Sequence, residues 1–325
     1  MLGAVALIAF IVTWLVLRLL VSRFARVALD QPNDRSLHER PVPRTGGIAL
    51  LVGTATSLAF GAAALALAGL LALALAALSF VDDVRGLPSG VRLVGHLAAA
   101  ATIVWYLLTP MHPLEMALLI LAVGWLTNLY NFMDGSDGLA GGMTFFGFGA
   151  YALAAGVAGD AALATLATAL AASAAAFLLL NFPPARIFLG DVGSVPLGFL
   201  AGALGLVGWR DDLWPLWFPL LVFGPFIGDA TITLVRRLAR GERLWQAHRE
   251  HYYQRLVRMG AGHRGAALIG YALMLFCGAA ALYGRAQAPM LQAAVFTATC
   301  ALLAGAAVWI DVRWWRHCRR GEASG

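Results

Sequence analysis

Eleven apolar stretches follow one another along the chain, near residues 2–22, 46–61, 63–81, 91–109, 114–130, 139–157, 161–181, 193–209, 213–235, 265–284 and 290–311. A membrane-crossing helix needs about 20 mostly apolar residues. The runs on either side of Gly61 are short, so ten spans result if they join, and eleven if they do not. The remaining residues could not keep such a chain in water. Only 12% of the sequence is charged, against about 25% in soluble domains, and the mean hydropathy is +0.78. A cytosolic enzyme, a disordered chain and a disulfide-stapled secreted module are all excluded. Cys277, Cys300 and Cys318 have neither pairing nor metal-ligand spacing. The first run is too long for a signal-peptide core and is followed by arginines, so it reads as a retained helix. No repeat or linker sets off a soluble unit. The fold class expected is all-α, a polytopic integral membrane helical bundle, with residues 1–325 as one transmembrane domain ending in a basic tail at 312–325.

Every one of the 23 basic residues is arginine. Twenty of them fall in 23–45, 82–92, 182–192, 236–264 and 312–325. That asymmetry places these segments in the cytoplasm and the N-terminus outside. Trp105, Tyr106, Trp209, Trp214 and Trp217 fall at the opposite boundaries, where an aromatic belt is expected. Trp314 and Trp315, among Arg313, Arg316, Arg319 and Arg320, read as a tail lying on the anionic inner leaflet.

Acids are scarce, which makes their positions informative. Asp82, Asp83, Asp134, Asp137 and Asp191 occupy helix ends in three loops of the arginine-rich face. Adjacent carboxylates at a helix C-terminus oppose the helix dipole, so Asp82 and Asp83 do not serve helix stability. Asn128-Leu-Tyr-Asn131-Phe-Met-Asp134-Gly-Ser-Asp137-Gly adds amides and sharp turns, in a spacing foreign to calcium-binding loops. Phe188-Leu-Gly-Asp191-Val-Gly-Ser194 opens a helix whose free N–H groups can receive an anion. Converging carboxylates ringed by Arg and His suit a divalent cation with phosphates, and Mg²⁺ in particular takes one or two carboxylates, waters and phosphate oxygens. His248, His251 and Arg255 are spaced by three and four, the spacing of one helix face, and phosphate contact is the better reading than zinc. In the first loop, prolines at 41 and 43 hold Arg35, His38 and Arg44 over the membrane surface. Asp229 stands apart, about 10 Å up the ninth run from Arg236. An intramembrane carboxylate is costly and functional by default. His96, His112 and His263 carry no pattern and read as structural.

Taken in order on alternate loops, DDVRGL, NFMDGSDGL, FLGDVGS and HREHYYQRL resemble the polyprenyl-phosphate N-acetylhexosamine-1-phosphate transferases. That family also includes the phospho-N-acetylmuramoyl-pentapeptide transferase. The resemblance runs from Asp30 to Arg255. It implies a bundle of ten or eleven helices with a cytoplasmic Mg²⁺ site (Mn²⁺ as a substitute), in the bacterial inner membrane. The implied reaction moves a sugar 1-phosphate from a UDP-sugar to undecaprenyl phosphate and releases UMP, starting a lipid-linked envelope glycan. By the same resemblance Asp191 is the principal metal ligand, and Asp82 and Asp83 serve metal or acceptor phosphate. Asp134 joins them as catalytic, while Asn128, Asn131 and Asp137 belong to the nucleotide-sugar loop. Phe188 stacks on uracil, and His248, His251 and Arg255, with Arg44, Arg35 and His38, contact phosphates. Tyr253-Gln254 resembles the branch that initiates O-antigen and other surface polysaccharides rather than the pentapeptide branch; Thr45 stands where that branch commonly has glycine. The expected partners are the UDP-sugar, the lipid phosphate and the bilayer, with a homodimer as one assembly and no nucleic acid. The rival of another class is a secondary transporter coupling through Asp229; transporters gather such groups near the midplane, whereas here five acids sit at one face.

Overall fold

Backbone polar groups in hydrocarbon must be satisfied within the segment, which leaves helices as the economical answer for apolar runs of this length. The computed structural model describes residues 1–23, 29–30, 41–243 and 248–322. Thirteen α-helices follow in chain order: α1 Leu2–Arg23, α2 Gly46–Ala55, α3 Ala66–Arg85, α4 Ser89–Leu108, α5 Pro113–Phe132, α6 Leu139–Ala158, α7 Ala161–Asn181, α8 Asp191–Arg210, α9 Trp217–Val222, α10 Gly224–Ala239, α11 Tyr252–Leu256, α12 Gly262–Gly284 and α13 Pro289–Glu322. The β-structure among the described residues is one antiparallel pair of two-residue strands, β1 Leu29–Asp30 and β2 Val42–Pro43. The protein is a polytopic helical membrane bundle. Nine of its helices, among the described residues, are long and apolar enough to cross a membrane.

Two of the eleven runs fall short of a full span, for local reasons. The run after residue 45 gives an apolar helix over Gly46–Phe60, about 22 Å at 1.5 Å per residue. Its end tightens into a 3₁₀ turn and stops at Gly61, whose φ of +101° is left-handed, so the chain turns before α3. The run at 213–235 breaks into α9 and α10 at Phe223, because Pro225 in the first turn of α10 has no N–H to continue α9.

The centre of the bundle is α8, with seventeen of its twenty residues buried. Neighbours reach it closely only where side chains are missing. A Cβ on Gly47 of α2 would lie 2.4 Å from the Cα of Gly193 of α8, so both must be glycine for these backbones to meet. α3 and α5 flank α8, α7 carries α1 and α6, and α12 and α13 pack in sequence beyond α6. Leu7, Ile11 and Leu15 on α1, and Leu70 and Leu73 on α3, remain exposed, as lipid-facing positions of a membrane bundle would. Trp105 and Tyr106 are also exposed, whereas Trp214 departs from the belt expectation. It is buried, stacked on Phe218 with centroids 4.9 Å apart, and its indole N–H donates to the Gly205 carbonyl at 3.0 Å. The tail expected at 312–325 is continuous with α13 as far as Glu322.

Candidate active site

The carboxylate at the head of α8 is placed by backbone pairing between two loops. Phe188 N–H donates to the Pro43 carbonyl at 2.8 Å, Gly46 N–H to Phe188 at 2.9 Å and Gly47 N–H to Leu189 at 2.9 Å. This ladder lays residues 43–47 along 188–190 and leads directly into Asp191. Gly190 makes the corner at φ +70°, and a Cβ there would lie 2.5 Å from the Arg44 carbonyl oxygen. Asp191 is the first residue of α8, where the helix dipole favours a negative charge. Asn131 Nδ2 donates to Asp191 Oδ2 at 3.2 Å, and Ser194 Oγ donates to Asn131 Oδ1 at 3.1 Å. Asn131 is thereby oriented at both ends, and among the described residues the other Asp191 oxygen has no hydrogen-bond partner.

The paired aspartates at the end of α3 are each held by an arginine. Asp82 Oδ2 accepts from Arg92 at 3.0 Å while its Oδ1 accepts from Leu87 N–H at 2.7 Å. Asp83 Oδ1 lies 3.4 Å from Arg44, which ties α3 to the loop beside Gly190. His96, one turn beyond Arg92 on α4, is buried and bonds Asn128 Oδ1 through Nδ1 at 3.1 Å. It lies within electrostatic reach of Asp191, Asp82 and Arg92, so the α4 face joins the carboxylate groups.

Asp137 links the second and third acidic loops. Its Oδ2 accepts from Ala185 N–H at 2.9 Å, and His263 Nδ1 lies 3.6 Å from Oδ1. His263 also bonds Ser136 Oγ at 3.0 Å. Asn181 braces the same junction, accepting from Gly138 N–H at 3.0 Å and donating to the Ile187 carbonyl at 2.9 Å. Phe188 is half-exposed beside this junction.

The histidine segment is not the continuous helix that its spacing predicts. Helix α11 begins only at Tyr252, and His251 precedes it with extended backbone (φ −56°, ψ 147°). The cause is Asp229 of α10. Its carboxylate accepts from Tyr252 N–H at 2.9 Å and Tyr253 N–H at 3.1 Å, two of the orphan donors of a helix start. The same carboxylate bonds His251 Nδ1 at 3.0 Å and Thr233 Oγ1 at 3.3 Å. Gln254 completes the turn by accepting from His251 N–H at 3.2 Å. Asp229 therefore caps a helix from a different segment of the chain and fixes the imidazole beside it. His248 and His251 are neighbours, with ring centroids 4.9 Å apart. Phe132 stacks on His251, and Tyr253 donates to the Phe132 carbonyl at 3.1 Å, so the segment docks on the loop that carries Asn131 and Asp134.

Arg255 faces elsewhere. It donates to Asp311 of α13 at 2.8 Å, and Asp311 also receives both guanidinium nitrogens of Arg236 at 2.7 Å and the Tyr252 hydroxyl at 3.2 Å. One carboxylate thus binds α10, α11 and α13 together. Arg35 and His38 lie outside the described residues. The structure brings the remaining sequence candidates, other than Arg255, to one end of the bundle. His96 and His263, read from the sequence as structural, and Asp311, which the sequence did not single out, each join these networks; His96 stands four residues after Arg92, a spacing that puts both on one helix face.

Among the described residues no three His, Cys, Asp or Glu side chains converge as a metal cage. Asp191, half-buried with one oxygen unpartnered among the described residues, and Asp82 and Asp83, each paired with an arginine, are hard oxygen donors of the kind Mg²⁺ takes one or two at a time, with phosphate and water completing its shell.

Residues 64–209 match the model of a protein family described as glycosyl transferase family 4. The chain is 29% identical to the probable undecaprenyl-phosphate N-acetylglucosaminyl 1-phosphate transferase of Bacillus subtilis, over 82% of this chain and 80% of that protein. It is also 29% identical to the decaprenyl-phosphate N-acetylglucosaminephosphotransferase of Mycolicibacterium smegmatis, over 83% and 79%. Similarity to the phospho-N-acetylmuramoyl-pentapeptide-transferase of Moorella thermoacetica is 37% but spans only 32% of this chain and 30% of that protein.

Proposed function

We propose that the chain, whose residues 64–209 match the model of glycosyl transferase family 4, is a member of that family and transfers an N-acetylhexosamine 1-phosphate from a UDP-sugar to a polyprenyl phosphate, undecaprenyl phosphate in a bacterial inner membrane. The observation that carries this is that Asp191 with Asn131, the arginine-held Asp82 and Asp83, and the Asp229-held His251 lie on the loops at the arginine-rich end, in a chain alignable over four-fifths of its length with two such transferases. The positive-inside rule puts that end in the cytoplasm, where nucleotide sugars are made. The pentapeptide transferase is the weaker reading, since the matches to such enzymes cover less than half of the chain.

In this reaction a lipid-phosphate oxygen attacks the β-phosphorus of the UDP-sugar. The bond from that phosphorus to the bridging oxygen breaks, and UMP leaves with the oxygen. Phosphoryl transfer of this kind is mostly positioning and charge neutralisation. Bound Mg²⁺ supplies charge neutralisation at the diphosphate; Asp191, with Asp82 and Asp83, would hold it. The ion pairs Arg92–Asp82 and Arg44–Asp83 suggest how the site accepts two opposite charges at once. Arg92 and Arg44 would pair with the incoming phosphates, which would leave the Asp82 and Asp83 carboxylates available to hold a cation. A phosphate monoester has a second pKa near 6, so much of the acceptor is already dianionic at neutral pH and no strong general base is needed. Asn131 and Asn128 are pre-oriented for the nucleotide sugar, Asp134 lies in the same loop, and Phe188 offers a ring to uracil. His248 and His251 reach the diphosphate. The test is purified protein given undecaprenyl phosphate and a panel of UDP-sugars. UMP release that depends on both substrates supports the reading; uptake of a UDP-sugar into liposomes without UMP release would replace it with transport.

A further inference from the structure

Helix α13 has 34 residues, about 51 Å at 1.5 Å per residue, against a hydrocarbon core of about 30 Å. Counting from Pro289, about 30 Å of rise is used by Trp309, so the residues beyond it stand at headgroup level or past it. The positive charge begins at that level. Arg313, Arg316, His317 and Arg320 are spaced by three and four on one helix face. With Met259, from the turn between α11 and α12, they line a cleft of about 370 Å³ whose wall, among the described residues, is cationic and apolar. Asp311, one of the two acids of α13, is already occupied by Arg236, Arg255 and Tyr252. Aromatic rings shape the surroundings: Arg313 lies 4.4 Å above Trp309, and Trp314 stacks with His317 on one side and receives Arg258 at 4.7 Å. Trp309 and Trp315 are about half exposed, as tryptophans at a membrane–water interface are.

We propose that this cleft binds the phosphate of an anionic glycerophospholipid from the arginine-side leaflet. The cations meet the phosphate, and Met259 with the exposed indoles meets the apolar part of the same molecule. A soluble anion would use only the first of these. Basic pockets at the cytoplasmic end of membrane helices recognise lipid headgroups by this combination. The site anchors α13, and through Asp311 it steadies the segment that carries His251. It does not depend on the transfer reaction, so either conclusion can fail alone.

The test titrates full-length protein in detergent with fluorescently labelled phosphatidylglycerol, using phosphatidylcholine and inorganic phosphate as competitors. Saturable binding is expected, with neither competitor displacing the probe at equal concentration. Arg313→Gln with Arg316→Gln should weaken binding roughly 30-fold, from the contribution typical of two arginines near a lipid surface. Raising the salt concentration should weaken binding to the unaltered protein, a readout that does not depend on the variant's folding. Equal competition by phosphatidylcholine would make the site a general lipid contact. Displacement by inorganic phosphate would make it a soluble-anion site. An unchanged affinity in the variant, or insensitivity to salt, would also overturn the proposal.

Discussion

Replacing Asp229 with Asn tests how the histidine segment is held. The carboxylate is buried and accepts from the His251 ring, the Tyr252 and Tyr253 amides and the Thr233 hydroxyl at 2.9–3.3 Å. Asparagine keeps the shape but turns one oxygen into an NH₂ group, so at least one donor at the start of α11 faces another donor. Hydrogen bonds to charged groups contribute about 1.5–3 kcal/mol each, and a buried donor left without a partner costs about 1–3 kcal/mol. A local cost of about 2–3 kcal/mol is therefore expected. If it falls wholly on the docked state of His251, turnover drops roughly 30- to 150-fold. Any reserve of docking stability reduces that figure. The assay is UMP release at saturating UDP-sugar, with thermal unfolding measured alongside to show that the bundle survives. A cycle with His251→Ala separates the routes: if Asp229 acts through His251, adding Asp229→Asn to that variant changes activity little. Near-normal turnover of Asp229→Asn, or fully additive losses in the cycle, would refute the reasoning.

Other substitutions probe the rest of the site. Asp191→Asn should lower transfer by a factor of about 10²–10³, the scale of losing one electrostatic contact to the reacting group, while membrane insertion persists. Chelation should stop turnover and added Mg²⁺ restore it; activity in a metal-free preparation would contradict the assignment of Asp191. Gly190→Ala should cost about 1–3 kcal/mol of stability through its left-handed φ, and it should lower activity further by moving Asp191 away from the Arg44 carbonyl; unfolding and UMP release measure the two effects. Arg255→Ala should lower the melting temperature and leave the Michaelis constant for UDP-sugar unchanged, because its guanidinium is taken by Asp311; a raised constant would return it to phosphate contact.

The hydrophobic runs were legible because hydrocarbon imposes both a length and a sign on each segment, and each of the eleven corresponds to a helix or a broken pair of helices. The break at Phe223 was encoded by Pro225, but length alone made 213–235 look continuous. The acidic loops could be read because carboxylates are rare in this chain. The start of α11 could not be. Spacing suggested one helix face from His248 to Arg255, yet the start is set by a carboxylate 23 residues earlier in the chain, and single-segment periodicity cannot register such a partner. Asp229 was recognisable as functional from its depth, but its role depends on which donors fold against it. Arg255 shows the converse: a guanidinium spaced to share the histidine face pairs in the structure with a half-buried acid on another helix.

The central claim is that phosphorus, and not the sugar alone, moves to the lipid. Purified protein should be given undecaprenyl phosphate and UDP-N-acetylglucosamine labelled in the β-phosphate. The label should appear in the lipid while unlabelled UMP accumulates in equal amount. Label released as UDP, with an unlabelled glycolipid, would contradict it.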